Sequence, residues 1–423
     1  MQNNNLPITI VGGGPVGLAA AAHLTVKNIP FILFEAGQSV GQNMLSWSHV
    51  RVFSPWRYNI DSAAKELLLE ADWAAPNEDE LPTGNQLVED YFRPLAELPQ
   101  IKPHIHLNSK VLSIVRKGLD KMKTWKRENK PFQIKVEENG VIKYYEANAV
   151  IDAAGTWNQP NPIGSGGVLA EGEEELQDHI FYGIPDVKEI QLERYKNKNV
   201  VVVGGGHSAI NVLLDLADIQ KEYPKTQLNW IVRKDNMDKV YGGKKDDALQ
   251  ARADLGIRIE QLVKSGKINI YKPFHIMKLV KGDNDIQIIG DLDGEIETIK
   301  DIDEIISNTG SRPNLDMIRE LRVDLDSSLE SVFDLAELID PNIHSCGTVR
   351  PHGEKELRHP EKDFYIVGSK SYGRAPTFLM ATGYEQVRSI VAYIVGDFEA
   401  AQRVELNLPQ TGVCSSNLPE ADQ

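Results

Sequence analysis

Two stretches of the chain combine short apolar runs with a glycine-rich turn in the same order. The first begins with the apolar run ITIV at 8–11, passes through GGGPVG into an alanine-rich stretch at 16–24, and reaches the run FILFE at 31–35. The β-branched and aromatic runs predict buried strands, and the alanine-rich stretch predicts a helix. A strand, a glycine turn, a helix and a strand in this order predict the start of a doubly wound parallel sheet.

The same series recurs in the middle of the chain. The run NVVVV at 199–203 is followed by the turn GGGHSA, a helical stretch at 208–219 and the run LNWIVR at 228–233. The sequence therefore predicts an α/β protein with two Rossmann-like dinucleotide-binding domains.

The rest of the pattern places further elements around these two units. It predicts helices at 61–71, 85–98 and about 244–265, a β-rich region with a hairpin turn at Asn139-Gly140, and a last strand and helix at 363–368 and 377–395. A stretch rich in Gly, Pro and Asn after residue 155 predicts a connector. We expect five segments, which are the first part of one domain (1–160), a connector (161–190), a second domain (191–300), the second part of the first domain (301–400) and a C-terminal tail (401–423).

Composition and charge narrow the class of protein. The 423 residues include 61 acidic and 46 basic side chains, and the formal net charge of −15 argues against nucleic acid or a membrane as the main partner. Cys346 and Cys414 are too far apart for a C-x-x-C pair, and the histidines lack a third ligand nearby, so we expect no metal. We also expect a cytoplasmic protein, because the chain shows neither a signal peptide nor an apolar run of about 20 residues.

The first glycine turn has the chemistry of a pyrophosphate site. Gly12, Gly14 and Gly17 show the spacing G-x-G-x-x-G, with Pro15 inside the turn. The first glycine allows the tight turn, the second lets the backbone approach a pyrophosphate, and the third packs the helix on the strand. Glu35 ends the next strand, where a carboxylate can accept hydrogen bonds from ribose hydroxyls.

The second turn has a related pattern. Gly204, Gly206 and Ala209 form G-x-G-x-x-A, with His207 and Ser208 between them. A second dinucleotide is therefore expected at this turn.

The strand after the second turn ends in Arg233 and Lys234 instead of an acid. A carboxylate would repel the 2′-phosphate of NADPH, whereas an arginine suits forked hydrogen bonding to phosphate. We therefore expect FAD at the first turn and NADPH at the second, which together imply redox chemistry. The alternative for Arg233 is a solvated charge at a strand end.

The order of these motifs resembles the flavoproteins with two dinucleotide-binding domains, namely the bacterial flavin-containing (class B-like) monooxygenases and the FAD-dependent pyridine-nucleotide oxidoreductases. In them the FAD domain comes first and the NADPH domain, with the fingerprint G-x-G-x-S-A, is inserted into it, as at residues 204–209. The segment AVIDAAGTW resembles the one preceding the insertion, with Ala154 and Gly155 beside FAD. The segment DEIISNTGSRPN, with Thr309 and Gly310, resembles the one following it.

The resemblance also implies which residues lie closest to the cofactors. The backbone of Val111 would meet the adenine of FAD. The last strand and helix would approach the flavin. The candidate residues there are Gly368, Tyr372, Arg374 and Thr377. The loop after the first strand–helix–strand unit adds Trp47, Arg51 and Trp56. The alternatives are a helix cap and a surface arginine for the first group, and core aromatic residues for the second.

Two features depart from the pattern of these families, one in the monooxygenase hallmark and one at the flavin. The monooxygenase hallmark F-x-G-x-x-x-H should precede the second turn, but the nearest stretch has Gly172, His179 and Tyr182 without the phenylalanine and with a longer spacing. After the last strand, Gly368-Ser369 replaces the usual Gly-Asp, so an aspartate cannot contact the ribityl chain there.

These observations predict an FAD-containing, NADPH-dependent oxidoreductase that is monooxygenase-like and acts on a small molecule with O2. The first alternative is a reductase of the disulfide or quinone type without oxygen insertion. The second is a flavin-binding regulatory protein with little turnover. The sequence does not identify the substrate, and it leaves a homodimer open.

Overall fold

The computed structural model describes residues 6–242, 250–283, 285–343, 351–376 and 378–406. The predicted site residue Thr377, both cysteines and the tail beyond residue 406 lie outside the described residues.

The described residues form sixteen β-strands and twelve α-helices. The strands are β1 (Ile8–Val11), β2 (Phe31–Phe34), β3 (Ile105–His106), β4 (Ser109–Arg116), β5 (Phe132–Glu138), β6 (Val141–Ala147), β7 (Ala149–Asp152), β8 (Ile180–Tyr182), β9 (Asn199–Val203), β10 (Gln227–Ile231), β11 (Ile268–Tyr271), β12 (Phe274–Lys281), β13 (Ile286–Leu292), β14 (Glu295–Ile302), β15 (Glu304–Ser307) and β16 (Phe364–Ile366). The α-helices are α1 (Pro15–Val26), α2 (Gln42–Leu45), α3 (Ser62–Glu70), α4 (Gly84–Gln86), α5 (Arg93–Glu97), α6 (Leu192–Tyr195), α7 (His207–Glu222), α8 (Asp238–Tyr241), α9 (Gln250–Lys264), α10 (Phe333–Ile339), α11 (Met380–Ile394) and α12 (Phe398–Gln402). A π-helical segment, Leu87–Phe92, joins α4 to α5.

Among the described residues, the first compact unit is formed by 6–159 and again by 312–406. Its main sheet has the order β16-β7-β1-β2-β3, and all neighbouring strands are parallel. Helix α1 packs against α3 and α11, and its run of four alanines is fully buried because small side chains let helices approach closely. A second sheet, β4-β5-β6, is antiparallel.

The second compact unit is Pro160–Ser311. Its main sheet has the order β11-β10-β9-β15-β8, again with parallel neighbours, and the antiparallel sheet β12-β13-β14 follows β11 in the chain. Each unit therefore has a parallel sheet whose strands are buried apolar runs, and the predicted α/β fold class with two Rossmann-like domains is confirmed.

The segment at 161–190 differs from the connector that the composition predicts. Strand β8 lies within it and pairs with β15, and Glu171 forms a parallel bridge with Lys278 of β12. The segment is therefore part of the second unit. A three-residue strand has too short an apolar run to be recognised from the sequence, because it is stabilised by a partner more than a hundred residues away.

Within the part of the chain that the structure describes, the helices do not combine the length and the apolar character that crossing a bilayer requires.

Candidate functional site

The first glycine turn lies at the carboxyl edge of the parallel sheet of the first unit. Gly12 follows β1 with φ +101°, and a Cβ there would stand 2.6 Å from the carbonyl oxygen of Ala153, so only glycine fits. A Cβ on Gly17 would overlap the carbonyl oxygen of Gly12, because the helix packs directly on the turn. Gly14, in contrast, faces open space in front of Pro15, the first residue of α1. The turn thus leaves room for a pyrophosphate at the helix N-terminus.

Glu35 connects this turn to the end of β2. Its Oε2 accepts a hydrogen bond from the Gly13 amide at 2.7 Å, and its Oε1 accepts one from the Gly37 amide at 2.7 Å. The carboxylate is partly buried and fixed by two backbone donors, which leaves lone pairs to accept from hydroxyl groups. This arrangement fits the ribose of a dinucleotide bound at the turn.

The ends of β7 and β16 meet beside the same edge through a buried ion pair. Asp152 Oδ2 accepts from Lys370 Nζ at 2.7 Å, and the two side chains are 0% and 1% exposed. The other carboxylate oxygen accepts from the amide of Ala154, which begins the turn that also contains Gly155. The predicted FAD contact at Ala154 and Gly155 therefore lies in a turn that this ion pair fixes in place.

The loop between β16 and α11 is fixed by a buried amide. Gln386 of α11 accepts a hydrogen bond from the Gly368 amide at 2.7 Å, and its Nε2 donates to the Ser371 hydroxyl at 3.0 Å. Val111, the predicted adenine contact, lies buried in β4 and pairs with Val136. Both predicted backbone contacts are thus parts of rigid elements.

The aromatic and basic residues predicted beside the flavin have different environments. Trp47 is partly exposed, and its ring lies 6.2 Å from the ring of Trp157, two residues after Gly155. Trp56 is 2% exposed and belongs to the hydrophobic core. Arg51 is exposed, and its guanidinium donates to the backbone carbonyl of Leu81. Of these three candidates, Trp47 has a ring surface that is accessible.

The two candidates near the last helix also differ. Tyr372 is 1% exposed and packs between the rings of His352 and Phe378 at 5.6 and 5.3 Å. Burial raises the pKa of Tyr372 well above its usual range, so its hydroxyl stays protonated. Arg374 pairs with Glu330 at 2.6 Å on the surface of the first unit.

The second glycine turn repeats the geometry of the first. Gly204 follows β9 with φ +135°, and a Cβ there would overlap the carbonyl oxygen of Asn308. Gly206 faces open space, and the exposed His207 begins the 16-residue helix α7, followed by Ser208. Ala209 is fully buried, as the third position of the fingerprint requires for close helix packing. The turn has room for a second pyrophosphate.

The end of β15 borders this turn. Thr309 Oγ1 donates to the carbonyl oxygen of Asn161 at 2.7 Å, and the amide of Asn161 donates to the carbonyl oxygen of Gly310. The Asn308 side chain donates to the carbonyl oxygen of Gly183, but its buried Oδ1 accepts no hydrogen bond from the described residues. An unpartnered acceptor next to the open turn fits a bound ligand that has donors.

Arg233 and Lys234 follow β10 and are exposed. Arg233 Nη1 lies 3.4 Å from the carbonyl oxygen of Ser165, which leaves other guanidinium N–H groups able to bind an anion. The structure thus places two cations just after β10, the strand that follows the glycine turn and its helix, which is the position at which a 2′-phosphate is bound in such folds.

His179 and Tyr182 lie at opposite ends of β8. His179 precedes the strand and faces Glu304, the first residue of β15, at 3.8 Å, so it lies at the amino edge of this parallel sheet. Tyr182 ends β8 at the carboxyl edge, where its hydroxyl donates to Glu173 at 2.6 Å. Thus His179 is remote from the second glycine turn.

The sequence did not predict three groups that fix the turns and loops beside the candidate cofactor sites: the Asp152–Lys370 pair, Gln386 and Glu173. The run AVID at 149–152 could have indicated the ion pair, because a carboxylate at the end of a fully apolar strand needs a partner. The identity of that partner depends on a contact across 218 residues.

The chain is similar to proteins of known type over most of its length. A sequence profile of the family described as pyridine nucleotide-disulphide oxidoreductase matches residues 9–338. A ferredoxin–NADP reductase from Exiguobacterium sibiricum is 23% identical over 368 residues, which is 84% of each chain. The structure of a bacillithiol disulfide reductase from Bacillus cereus matches with a TM-score of 0.68 at 20% identity, over 93% of this chain and 99% of that one. An ornithine N-hydroxylase from Kutzneria sp. 744 matches with a TM-score of 0.59 at 16% identity, over 94% and 100%.

Proposed function

Because the chain belongs to the pyridine nucleotide-disulphide oxidoreductase family, we propose that it is an NADPH-dependent flavoenzyme that passes electrons from FAD directly to an external small-molecule acceptor. The family confirms the predicted resemblance and makes the protein an FAD- and NAD(P)H-dependent oxidoreductase. The reaction would be reduction of the acceptor without oxygen insertion.

The residues of the first unit fit FAD. Gly14 leaves open space at the start of α1, where backbone N–H groups and the helix dipole favour a pyrophosphate. Glu35 is held by two amides in an orientation from which it can accept from ribose hydroxyls. Bound FAD would supply the hydride acceptor for NADPH and the electron donor for the second substrate.

The residues of the second unit fit NADPH. Gly206 leaves space for the coenzyme pyrophosphate at the start of α7, and Arg233 and Lys234 supply positive charge for the 2′-phosphate. A carboxylate at this strand end would repel that phosphate. In the sequence VRKD at 232–235, the first carboxylate after the strand is that of Asp235, which pairs with Lys272.

One observation carries the choice of reaction type. The only histidine of the hallmark-like stretch, His179, lies at the amino edge of the sheet, and the residue that reaches the carboxyl edge is Tyr182. Burial, together with the hydrogen bond to the Glu173 carboxylate, raises the pKa of Tyr182 well above its usual range, so this hydroxyl does not exchange protons near neutral pH. This supports a reductase over a monooxygenase of the expected type.

The cysteine content supports transfer to an external acceptor. The sequence contains only Cys346 and Cys414, which are 68 residues apart, so it has no C-x-x-C pair to relay electrons within one chain. The acceptor must therefore come to the flavin itself.

Monooxygenation is the second candidate. The fingerprint G-x-G-x-S-A, completed here by Ser208 and Ala209, is the form typical of the monooxygenase branch that the chain resembles. This fingerprint concerns coenzyme binding and not the reaction with oxygen, so it is weaker support for a reaction type than the position of His179.

Acceptor reduction and monooxygenation can be distinguished by whether NADPH oxidation requires O2. We expect NADPH oxidation to proceed anaerobically with at least one class among benzoquinones, ferricyanide and low-molecular-weight disulfides, with one NADPH consumed per two electrons accepted. Oxidation that requires both O2 and an organic sulfide, amine or ketone, with ¹⁸O from ¹⁸O2 in the product, would contradict the proposal and establish the second candidate.

The coenzyme is tested separately by Arg233→Ala. Loss of a charged hydrogen bond of about 1.5–3 kcal/mol should raise the KM for NADPH by about 10- to 100-fold while the KM for NADH stays unchanged. An equal loss for both coenzymes would remove Arg233 from the 2′-phosphate site.

A further inference from the structure

Glu173 is a fully buried carboxylate that forms no ion pair with the described residues. It is 0% exposed, and its oxygens accept hydrogen bonds from the amides of Ile163, Gly164 and Ala170 at 2.9, 3.2 and 2.7 Å. The hydroxyl of Tyr182 donates the fourth bond at 2.6 Å. A buried charge is costly unless donors surround it, and here all four donors are neutral.

The three amides come from the two ends of one loop, residues 163–170. The carboxylate therefore closes this loop, and the turn within it is tight, since a Cβ on Gly164 would overlap the carbonyl oxygen of Val168. Through Tyr182, the same carboxylate fastens the loop to the carboxyl end of β8. Glu173 thus determines where the loop lies relative to the main sheet of the second unit.

The loop in turn contacts the cation at the coenzyme site. The amide and the hydroxyl of Ser165 both donate to the carbonyl oxygen of Ile276, at 3.1 and 2.7 Å, which holds the loop against β12. The carbonyl oxygen of Ser165 then remains to accept from Arg233 Nη1 at 3.4 Å. Arg233 is exposed, so this carbonyl restricts a side chain that would otherwise sample many rotamers.

We propose that Glu173 is a positioning residue for coenzyme selection: by closing the loop at 163–170 it places the Ser165 carbonyl that orients the Arg233 guanidinium toward the 2′-phosphate. The inference rests on the proposed function only in that the second unit binds NADPH. Replacing the carboxylate by an amide changes two acceptor oxygens into one acceptor and one donor, which then opposes the backbone donors. The loop is expected to loosen and the arginine to lose its orientation.

The test uses two nucleotides that differ only in the phosphate concerned. Binding of adenosine 2′,5′-bisphosphate and of adenosine 5′-monophosphate to the FAD-loaded protein is measured by calorimetry for Glu173→Gln, Arg233→Ala and the double variant. We expect Glu173→Gln to weaken the bisphosphate by about 5- to 20-fold and to leave the monophosphate unchanged. Glu171→Gln is the matched control, because Glu171 follows the same loop but is exposed and paired with Lys278.

The double variant separates positioning from general stability. If Glu173 acts through Arg233, Glu173→Gln has no further effect on bisphosphate binding once Arg233 is alanine. A full effect in that background, or an equal loss of both nucleotides, would overturn the inference. An effect of Arg233→Ala without any effect of Glu173→Gln overturns this inference alone, whereas no effect of Arg233→Ala on bisphosphate binding removes Arg233 from the 2′-phosphate site and overturns the inference with it.

A second variant keeps the test valid if Glu173→Gln does not fold. Tyr182→Phe removes one of the four hydrogen bonds and should shift bisphosphate binding in the same direction by a smaller factor. Tyr195→Phe is its control, because Tyr195 is a buried tyrosine of the same unit whose hydroxyl has no hydrogen-bond partner among the described residues. Equal binding by the two phenylalanine variants would contradict a role for the carboxylate cluster.

Discussion

Lys370→Met is expected to destabilise the first unit strongly, because it leaves the carboxylate of Asp152 buried without its cation. The two side chains are 1% and 0% exposed and their charged atoms are 2.7 Å apart. After the substitution, Asp152 retains the hydrogen bond from the Ala154 amide at 3.2 Å. Breaking one side of a buried ion pair costs about 3–5 kcal/mol, because the remaining charge is not solvated.

This free energy translates into a measurable change in melting temperature. For domains of this size about 1 kcal/mol corresponds to 2–4 °C, so we expect the unfolding transition to fall by roughly 6–20 °C. The variant should also release FAD more readily, since the Asp152 carboxylate fixes the turn that contains Ala154 and Gly155. Calorimetry with and without added FAD, together with flavin fluorescence after gel filtration, measures both effects.

Two control variants test whether burial of the Asp152–Lys370 pair determines its contribution to stability. Arg374→Met breaks the Arg374–Glu330 pair, whose side chains are 36% and 31% exposed, and should cost less than about 1 kcal/mol. Adding Asp152→Leu to Lys370→Met removes the unpaired charge and should restore much of the stability. If Lys370→Met melts no lower than Arg374→Met, or if the double variant melts lower still, burial of the pair does not govern its energetics.

Three further predictions concern the first unit. Gly14→Val should keep the fold but weaken FAD binding more than tenfold, about 1.4 kcal/mol, because its side chain enters the open space before α1, whereas Gly17→Val should prevent folding; circular dichroism and flavin content distinguish the two. Glu35→Gln should weaken FAD and lower stability by about 1–3 kcal/mol, because its amide cannot accept from both backbone donors, and denaturant titration with flavin release checks this. Burial lowers the pKa of His359 from 6.5 to about 4, so the unfolded chain binds a proton that the native one does not, and stability should fall by about 3 kcal/mol as the pH drops from 6.5 to 4. In His359→Asn that part of the pH dependence should vanish from denaturant midpoints, and an unchanged slope would contradict the assignment.

The parallel strands and the glycine turns could be predicted because their signals are local. A β-branched run, a G-x-G spacing and a following helix lie within a few residues, and the open space at Gly14 and Gly206 agrees with the predicted pyrophosphate contacts, which stay predictions. The environments of Trp56 and Tyr372 could not be predicted, because whether an aromatic side chain faces the core or a ligand depends on tertiary packing.

The segment at 161–190 shows the same limit for elements. Its glycines, prolines and acidic residues are typical of a connector, and β8 is only three residues long. Its membership in the second unit results from pairing with β15 and from the four donors around Glu173, all of which are tertiary contacts. The acidic run at 171–175 thus contains one carboxylate with a structural role.

Asp152 and Glu173 show why such residues escape prediction even when their presence can be noticed. Both are 0% exposed carboxylates that border a predicted cofactor edge, yet one is neutralised by a lysine 218 residues away and the other is stabilised by hydrogen bonds from backbone and tyrosine donors within ten residues. A buried carboxylate must be stabilised either by a cation or by hydrogen-bond donors, and the local sequence does not determine which of the two is present. The two arrangements respond differently to substitution, because Asp152 can be removed together with its partner, whereas three of the four donors around Glu173 are backbone amides and remain. Removing Glu173 would leave three amides unpaired, so the second unit cannot be repaired by a compensating side chain elsewhere.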